Sequence, residues 1–450
     1  MKRLLVSTLV FALAVTACTA GGNTSTPATI NPSESHEPVT LEIWGAWSGR
    51  ELKQFNQIFD GFTAQYPWIT VNSTGSVGDQ KIIAGINSGT PPDVVLSFTP
   101  DRVGAFCATG GWQDLMPYMD QTGFDLSQIP EGALAYTSYG GSQCALPFLT
   151  DTYGLYYNID MLEKAGISDP PKTLSELQAD AKKLTVINSS GEIEVAGFVP
   201  WFGYYEFSPL NMSIMFDAPW YNADGTQSAV GTDPAWQTMF EWQKQFIADV
   251  YGDGDFATGA DRLQRFVAGA GEEFSTAHDM YTGRIAMNLD GEWRTAFIAD
   301  EKPDMNYGTA PLPTPDDLAS NYGMGPMYGT IIGMPKGSPH PAEAWLLLQY
   351  MATDTDTLVY MANNVRNVPT TLASLDSPDL DVTPQFQTFL DIFTNPLSRD
   401  KEPTAIGSAD QETVSSFAEK WQTNADSDLA GGLQQAATQI DDQLAQQQGP

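Results

Sequence analysis

Hydrophobic and polar positions follow two different periods along the first hundred residues of the chain. Val39–Trp44 alternates apolar and polar residues and is rich in β-formers, which predicts a strand. Apolar residues then recur every three or four positions from Leu52 to Tyr66, which predicts an amphipathic helix. A strand at 69–71, a helix over 79–88 and a buried strand at Val94–Leu96 repeat this order. The alternation predicts a layered α/β fold with a mainly parallel sheet.

Ligand crevices of such sheets lie beyond the carboxyl ends of the strands, here at Gly45–Gly49 and Ser97–Arg102. After residue 147 the pattern repeats with a strand at Thr152–Asn158. Thr173 and Glu176 then fit a capping box at the start of a helix. Further helices are predicted from Pro234, over Pro341–Met351, over Asp410–Trp421 and after residue 430. A chain of 450 residues exceeds one ordinary domain, so we expect two or more lobes.

The N-terminus has the pattern of an export signal. Two basic residues precede the apolar run Leu4–Ala17, which is too short to span a membrane as a helix. The run ends at Cys18 in a sequence that resembles the bacterial lipobox, where the cysteine thiol is acylated. We therefore expect residues 1–17 to be a lipoprotein signal peptide and Cys18 to be a lipid anchor. The alternative is an ordinary secretory signal with an incidental cysteine.

Composition excludes several classes of protein. Residues 18–38 are small, polar and rich in proline, which predicts a flexible tether before a folded body that begins near Val39. The net charge of −34 repels phosphate backbones, so we expect no nucleic-acid partner. A hydrophobic fraction of 42% supplies ample cores. No other apolar run could span a bilayer, so the anchor is the expected contact with the membrane.

Cysteine and histidine are scarce. Cys107 and Cys144 either pair in the oxidising space outside the cell or remain as two buried thiols. The chain contains three histidines, His36, His278 and His340, which are too few for a histidine-rich metal site or a catalytic triad. We expect the latter two at the surface or at helix caps. Phosphate-binding loop, nucleophile-elbow and zincin motifs are missing from the sequence.

Carboxylates alone identify no chemistry in so acidic a chain. A pair at glycosidase separation could arise by chance among 55 acidic residues. The acidic segment around Asp253 does not have EF-hand spacing, so an acidic turn is preferred to a calcium loop. We therefore expect no catalytic residue, no metal and no cofactor.

Four ordered blocks of sequence carry a resemblance to a known family. They are Tyr153–Gly166, Phe274–Trp293, Tyr307–Pro313 and Gly329–Trp345. Together they resemble the extracytoplasmic solute-binding lipoproteins of carbohydrate ABC importers, the family of the maltose-binding protein. The resemblance implies a protein that is not an enzyme, that captures an oligosaccharide and that delivers it to permease subunits. It further implies a monomer anchored by lipid to the outer face of the bacterial cell membrane.

The same resemblance implies two α/β lobes joined by crossing strands, with the sugar between them. The first lobe would contain residues 39–148 and 329–368. The second would contain residues 149–328 and 369–450. These discontinuous boundaries come from the resemblance and not from periodicity.

A pyranose needs an aromatic plate beneath its C–H face and planar polar groups around its hydroxyl rim. The resemblance and the loop positions assign ten ligand-binding residues: Trp44, Trp47, Asp101, Arg102, Asp151, Trp201, Tyr204, Trp293, Tyr328 and Asn367. The alternatives are a core position for Trp44, a helix cap and surface charge for Asp101 and Arg102, and hinge packing for Tyr328 and Asn367.

One departure from the family affects the expected ligand. In the maltose-binding protein an aromatic-rich helix near the C-terminus contacts sugar, whereas residues 405–413 here contain no aromatic residue. A glycan other than maltodextrin is therefore expected, with Asp410 or Gln411 contributing. Two other functions remain open: an exported glycan-cleaving enzyme, and the same fold binding a polyamine, a phosphate ester or a ferric ion.

Overall fold

The computed structural model describes residues 36–423 and 428–447. The predicted signal peptide, the Cys18 anchor and most of the tether lie outside the described residues. Within the described part of the chain, no helix has the length and apolar character needed to cross a membrane.

The strands and helices of the described residues follow one another from Val39 to Gln447. The strands are β1 (Val39–Trp44), β2 (Ile69–Thr74), β3 (Val94–Ser97), β4 (Ser138–Tyr139), β5 (Ser142–Gln143), β6 (Ala145–Asn158), β7 (Val186–Ile187), β8 (Ile193–Val195), β9 (Met287–Gly291), β10 (Tyr307–Ala310), β11 (Met327–Gly333) and β12 (Val368–Pro369). The α-helices are α1 (Gly49–Gln65), α2 (Asp79–Ser88), α3 (Val103–Thr109), α4 (Met116–Thr122), α5 (Glu131–Leu134), α6 (Ile159–Lys164), α7 (Leu174–Leu184), α8 (Pro209–Met215), α9 (Pro234–Tyr251), α10 (Phe256–Ala268), α11 (Arg294–Glu301), α12 (Pro341–Thr353), α13 (Thr355–Val365), α14 (Leu372–Leu375), α15 (Pro384–Thr394), α16 (Ala409–Gln422) and α17 (Leu429–Gln447). Short 3-10 helices lie at Pro100–Arg102, Leu126–Gln128 and Asp316–Asn321.

The long strand β6 organises the main sheet. The strand order is β10-β6-β11-β3-β1-β2, and β9 and β12 also pair with β6. Only the pairs of β1 with β2 and with β3 are parallel, whereas β6 pairs antiparallel with β9, β10, β11 and β12. The prediction of a mainly parallel sheet is therefore wrong for this part of the chain, because the segments that pair with β6 run back along it.

Two large hydrophobic cores lie along different halves of β6. The smaller core contains Leu41, Phe55 and Trp345 and meets β6 at Leu146–Leu149. The larger core begins at Tyr153 and takes in buried residues as far as Leu444. Two smaller clusters lie beside these cores: the disulfide cluster, which contains Trp112 and Cys144, and a cluster that contains Met327, Phe386 and Val368 of β12. Strand β6 thus passes from one core to the other, and the alternation of apolar segments predicted from the sequence corresponds to two separate layered α/β units.

The capping box and the C-terminal helices predicted from the sequence are present in the structure. The Thr173 hydroxyl accepts from the backbone N–H of Glu176, and the Glu176 carboxylate accepts from the backbone N–H of Thr173, which confirms the capping box. The predicted helices at the C-terminal end appear as α12, α16 and α17. Cys107 and Cys144 form a disulfide whose Cα atoms are 5.6 Å apart.

Candidate ligand-binding site

A cavity of about 190 Å³ lies between the two cores. Segments from both sides of β6 contribute to it, because the loops after β1 and β3 meet the segments before α8 and after β9. Its lining residues are Trp47, Glu51, Phe98, Asp151, Tyr153, Glu206, Phe274, Trp293, Tyr328, Thr330 and Asn367.

Strand register explains why residues far apart in sequence meet at this cavity. Asp151 of β6 stands opposite Tyr328 of β11 in the antiparallel pair. Tyr153 of β6 stands opposite Gly291 of β9, two residues before Trp293. Asn367 immediately precedes β12, which pairs with β6 at Thr150 and Leu149. Strands β6 and β11, together with the residue before β12, therefore supply much of the cavity floor.

A hydrogen-bonded group of three side chains fixes this floor. Asn367 Nδ2 donates to Asp151 Oδ1 and, over 2.9 Å, to Glu292 Oε1. Glu292 Oε2 accepts from the backbone N–H of Thr152 at 2.7 Å. Burial raises the pKa of Asp151 to about 7, and hydrogen bonds from Glu292 and Asn367 oppose that rise. Burial and the neighbouring Asp151 raise the pKa of Glu292 well above its ordinary value.

Aromatic rings form the other part of the wall. Tyr153 lies 5.4 Å from Trp293, centroid to centroid and nearly perpendicular, and 4.9 Å from Tyr328. Trp47 is nearly buried and meets Phe98 edge-on at 5.7 Å. Such contacts between rings restrict the orientation of each ring in the cavity wall.

Two phenylalanines stand at the mouth of the cavity. Phe98 is 40% exposed and Phe274 is 54% exposed, although large apolar side chains are usually covered. Phe98 follows β3 on the side of the smaller core, and Phe274 precedes β9 on the side of the larger core. The cavity therefore has a partly exposed aromatic ring on each of its two sides.

Five of the ten predicted ligand-binding residues meet at this cavity: Trp47, Asp151, Trp293, Tyr328 and Asn367. The other five do not line it. Trp44 packs beside the disulfide cluster, with the Lys81 ammonium 5.2 Å from its ring. The alternative of a core position therefore describes Trp44 better.

Asp101 and Arg102 make ion pairs instead of lining the cavity. The Lys401 ammonium lies 3.7 Å from Asp101 Oδ1 and 3.1 Å from Asp410 Oδ2. Arg102 lies 3.2 Å from Asp79 and 3.6 Å from Glu412. Asp410, which the sequence suggested as a further ligand contact, is fully buried in this network. Its carboxylate accepts a hydrogen bond from the Tyr221 hydroxyl.

Trp201 and Tyr204 belong to the larger core. Trp201 is 6% exposed and Tyr204 is 2% exposed. The Tyr204 hydroxyl donates to Asp279 Oδ2 at 2.7 Å. Both side chains are therefore packed in this core and do not line the cavity.

Two remaining expectations concern histidine and the acidic turn. His278 is fully buried against Tyr205, so its expected position at the surface is wrong. Burial and the neighbouring Arg294 lower its pKa to about 2, which keeps the ring neutral. Asp253 forms an ion pair with Arg262 at 3.0 Å.

Six lining residues were missed from the sequence: Glu51, Phe98, Tyr153, Glu206, Phe274 and Thr330. Signals for four of them were present, and one of these is Thr330, which lies in the family block Gly329–Trp345. Phe98 lies in a predicted crevice loop, and Tyr153 and Phe274 begin two of the four family blocks. Glu51 and Glu206 carried no signal, because single carboxylates are common in this chain.

The sequence matches the family of bacterial extracellular solute-binding proteins over residues 46–357. This match spans more than half of the chain, so the chain belongs to that family. The resemblance drawn from the four blocks is thereby confirmed. The family and its relatives are binding proteins rather than enzymes.

Individual relatives are distant in sequence. A putative binding protein of Brucella abortus is 25% identical over 317 residues, which is 68% of this chain and 70% of the relative. The maltotriose-binding protein of Pyrococcus abyssi is 23% identical over 350 residues, which is 76% of this chain and 69% of the relative. The solved structure of CpMnBP1 with mannotriose bound has a TM-score of 0.79 at 23% identity and covers 89% of this chain and 99% of that one. This likeness shows the two-lobed α/β fold of the solute-binding proteins.

Proposed function

We propose that this protein binds a saccharide between its two lobes and delivers it to the permease of an ABC importer. The cavity between the two cores is the observation that carries the proposal. It offers rings for the C–H face of a pyranose, and carboxyl, amide and hydroxyl groups for its rim. Such a set of side chains suits polyhydroxylated rings. The oligosaccharides bound by two of the relatives support the same conclusion.

The lobes in this proposal are residues 39–148 with 329–368 and residues 149–328 with 369–450. The course of β6 from one core to the other supports a hinge at these crossings. Ion pairs between the two sides support a closed state. Arg50 of α1 pairs with Asp300 of α11, and Lys401 pairs with Asp101. Opening these contacts would admit the ligand.

Export and anchoring belong to the same proposal. Residues 1–17 act as the signal peptide, and acylated Cys18 holds the monomeric protein at the outer face of the cell membrane through the tether of residues 18–38. In cells, Cys18→Ala should release the protein from the membrane fraction into the medium. Retention of that variant on the membrane would contradict the lipid anchor.

A thermal unfolding screen of the purified protein against mono- and oligosaccharides tests the proposed ligand class. A saccharide at about 100 times its Kd adds about 2.7 kcal/mol to the free energy of unfolding. We expect at least one saccharide to raise the unfolding temperature without being cleaved. A folded protein that responds to no saccharide would contradict the proposal, and release of a shortened glycan would favour an enzyme.

A further inference from the structure

Three carboxyl groups reach the cavity from three separate segments of the chain. Glu51 lies in the first turn of α1, Asp151 lies on β6, and Glu206 precedes α8. None of the described residues that line the cavity is Lys, Arg or His. The wall therefore presents acidic groups without a basic group beside them.

The nearest guanidinium groups behind this wall are already paired. Arg294 Nε lies 2.7 Å from Asp290 Oδ2, and its Nη2 lies 3.6 Å from Glu273 Oε1. Arg50 pairs with Asp300. These cations serve carboxylates outside the cavity lining, so the three lining carboxyls gain only their longer-range attraction.

Burial dominates the pKa values of Glu51 and Asp151. Burial raises the pKa of Glu51 to about 7 in spite of Arg50 and Arg294. Burial also raises the pKa of Asp151 to about 7, with Glu51 adding repulsion and Glu292 a hydrogen bond. Each carboxyl thus holds its proton more tightly than in water and would ionise readily if a cation arrived.

Glu206 is perturbed in the same direction. Burial raises its pKa well above the ordinary value, and the charges of Glu273 and Asp290 add to the rise while Arg294 opposes it. Glu206 and Glu273 also share a hydrogen bond. A positive group in the cavity would favour the ionised form of Glu206, whereas a neutral hydroxyl would not.

The shape and lining of the cavity distinguish between classes of cation. Among residues 36–423 and 428–447, no group of three or more metal-ligating side chains could hold a metal ion. Trp47, Tyr153 and Trp293 instead present aromatic surface, which attracts organic ammonium groups as well as C–H faces. An organic ring that carries an ammonium group could pair with the carboxyl groups of the wall and pack against its aromatic rings.

We propose, on the basis of the proposed function, that the ligand is a saccharide with a free, protonated amino group, either an amino sugar or a short oligosaccharide of amino sugars. The ammonium group pairs with the carboxyls of Glu51 and Asp151, whose charges act on each other. The sugar rings pack on the aromatic wall. Phosphorylated sugars are excluded, because the lining offers no basic partner.

Matched saccharides that differ at one position test this proposal. Calorimetric titration of the purified full chain would use glucosamine against glucose, galactosamine against galactose, and the β-1,4 disaccharide of glucosamine against cellobiose. N,N′-diacetylchitobiose keeps the nitrogen without its charge, and spermidine supplies charge without a ring. We expect at least one amino saccharide to bind about tenfold more tightly than its neutral partner, since charge-assisted hydrogen bonds exceed neutral ones.

The outcomes separate the two proposals. Neutral saccharides that bind as tightly as their amino partners, or diacetylchitobiose that binds as tightly as the free amine, would overturn the amino-sugar proposal and leave the saccharide-binding function standing. Spermidine that binds as tightly as the best amino saccharide would also overturn it. Binding of no saccharide at all would overturn both proposals.

Two variants test whether the preference for amino over neutral saccharides arises at this cavity. Glu51→Gln should lower the affinity ratio between amino and neutral saccharides at least threefold, because one carboxylate partner is lost. Asp120→Asn makes the same change in net charge on the exposed surface of α4 and should leave that ratio unchanged. Equal ratios in both variants would count against a role for Glu51. At about pH 6, titrations in two buffers of different ionisation enthalpy should show protons released with an amino saccharide and none with its neutral partner.

Discussion

Asn367 Nδ2 lies 2.9 Å from Glu292 Oε1, so the segment before β12 is hydrogen bonded to the turn after β9. The same amide nitrogen donates to Asp151 on β6. One side chain therefore connects the segment before β12 both with β6 and with the turn after β9. Both of its acceptors are buried carboxyl groups.

Removal of the Asn367 amide should destabilise the protein. Asn367→Ala leaves Asp151 and Glu292 without their shared donor, and a buried group that loses its partner costs about 1–3 kcal/mol. Chemical denaturation would measure this loss. Asn363→Ala removes exposed hydrogen bonds and should change the free energy of unfolding by less than about 0.5 kcal/mol. Equal losses in the two variants would contradict a special role for Asn367.

The Lys401 ammonium group should contribute to stability because it is buried between carboxylates. Lys401→Met leaves Asp101 and Asp410 facing each other without a cation, which we expect to cost about 3–5 kcal/mol. Lys420→Met, on the exposed side of α16, is the matched control and should be nearly neutral. Thermal and denaturant unfolding would compare them. A Lys401→Met protein as stable as the control would show that the network contributes little.

The disulfide should stabilise the cluster of buried residues in which it lies, which contains Trp112, Tyr136 and Cys144. The bond between Cys107 and Cys144 closes a loop with a sequence separation of 37, for which chain entropy predicts about 3–4 kcal/mol. The double variant with Ala at both positions should lose this amount in denaturant unfolding. The reduced wild-type protein should lose as much. Alkylation of both thiols in the unreduced protein would contradict the bond itself.

Two tryptophans should respond differently to truncation. Trp293→Ala removes a ring from the cavity wall and should weaken ligand binding by about 1–3 kcal/mol, in addition to a loss of stability because the ring is also packed in the larger core. Trp201→Ala opens a hole in the larger core and should lower the free energy of unfolding by about 3–5 kcal/mol. Titration calorimetry and denaturation of both proteins would test the contrast. The reverse pattern would relocate the binding site.

Stability should fall as pH rises through the acidic range. Glu51 and Asp151 have ordinary pKa values of 4.5 and 3.8 and folded pKa values of about 7. Between these limits the two groups bind more protons in the folded state than in the unfolded state, so their contribution to the free energy of unfolding decreases with pH and levels off above about 7. The slope approaches about 1.4 kcal/mol per pH unit for each group. Glu51→Gln should flatten the curve measured by denaturation at several pH values, and an unchanged slope would contradict this pKa.

The sequence by itself determined the class of protein, most helices, and part of the site. Amphipathic spacing and capping signals act within one element, so they predicted α1 and the Thr173 capping box. The family blocks and crevice loops pointed to Trp47, Asp151 and Trp293, because residues at strand ends and in family motifs have recognisable surroundings. The two-lobed fold followed from the same blocks.

Only the tertiary structure decided which side chains meet. Periodicity cannot show that β6 pairs antiparallel with β9 and β11, since strand register depends on contacts between distant segments. It could not separate Trp201 in the core from Trp293 at the cavity, because both are aromatic residues in apolar surroundings. Nor could it select Glu51 and Glu206 from 55 acidic residues. Their raised pKa values arise from burial at one cavity, and burial is a property of the packed molecule.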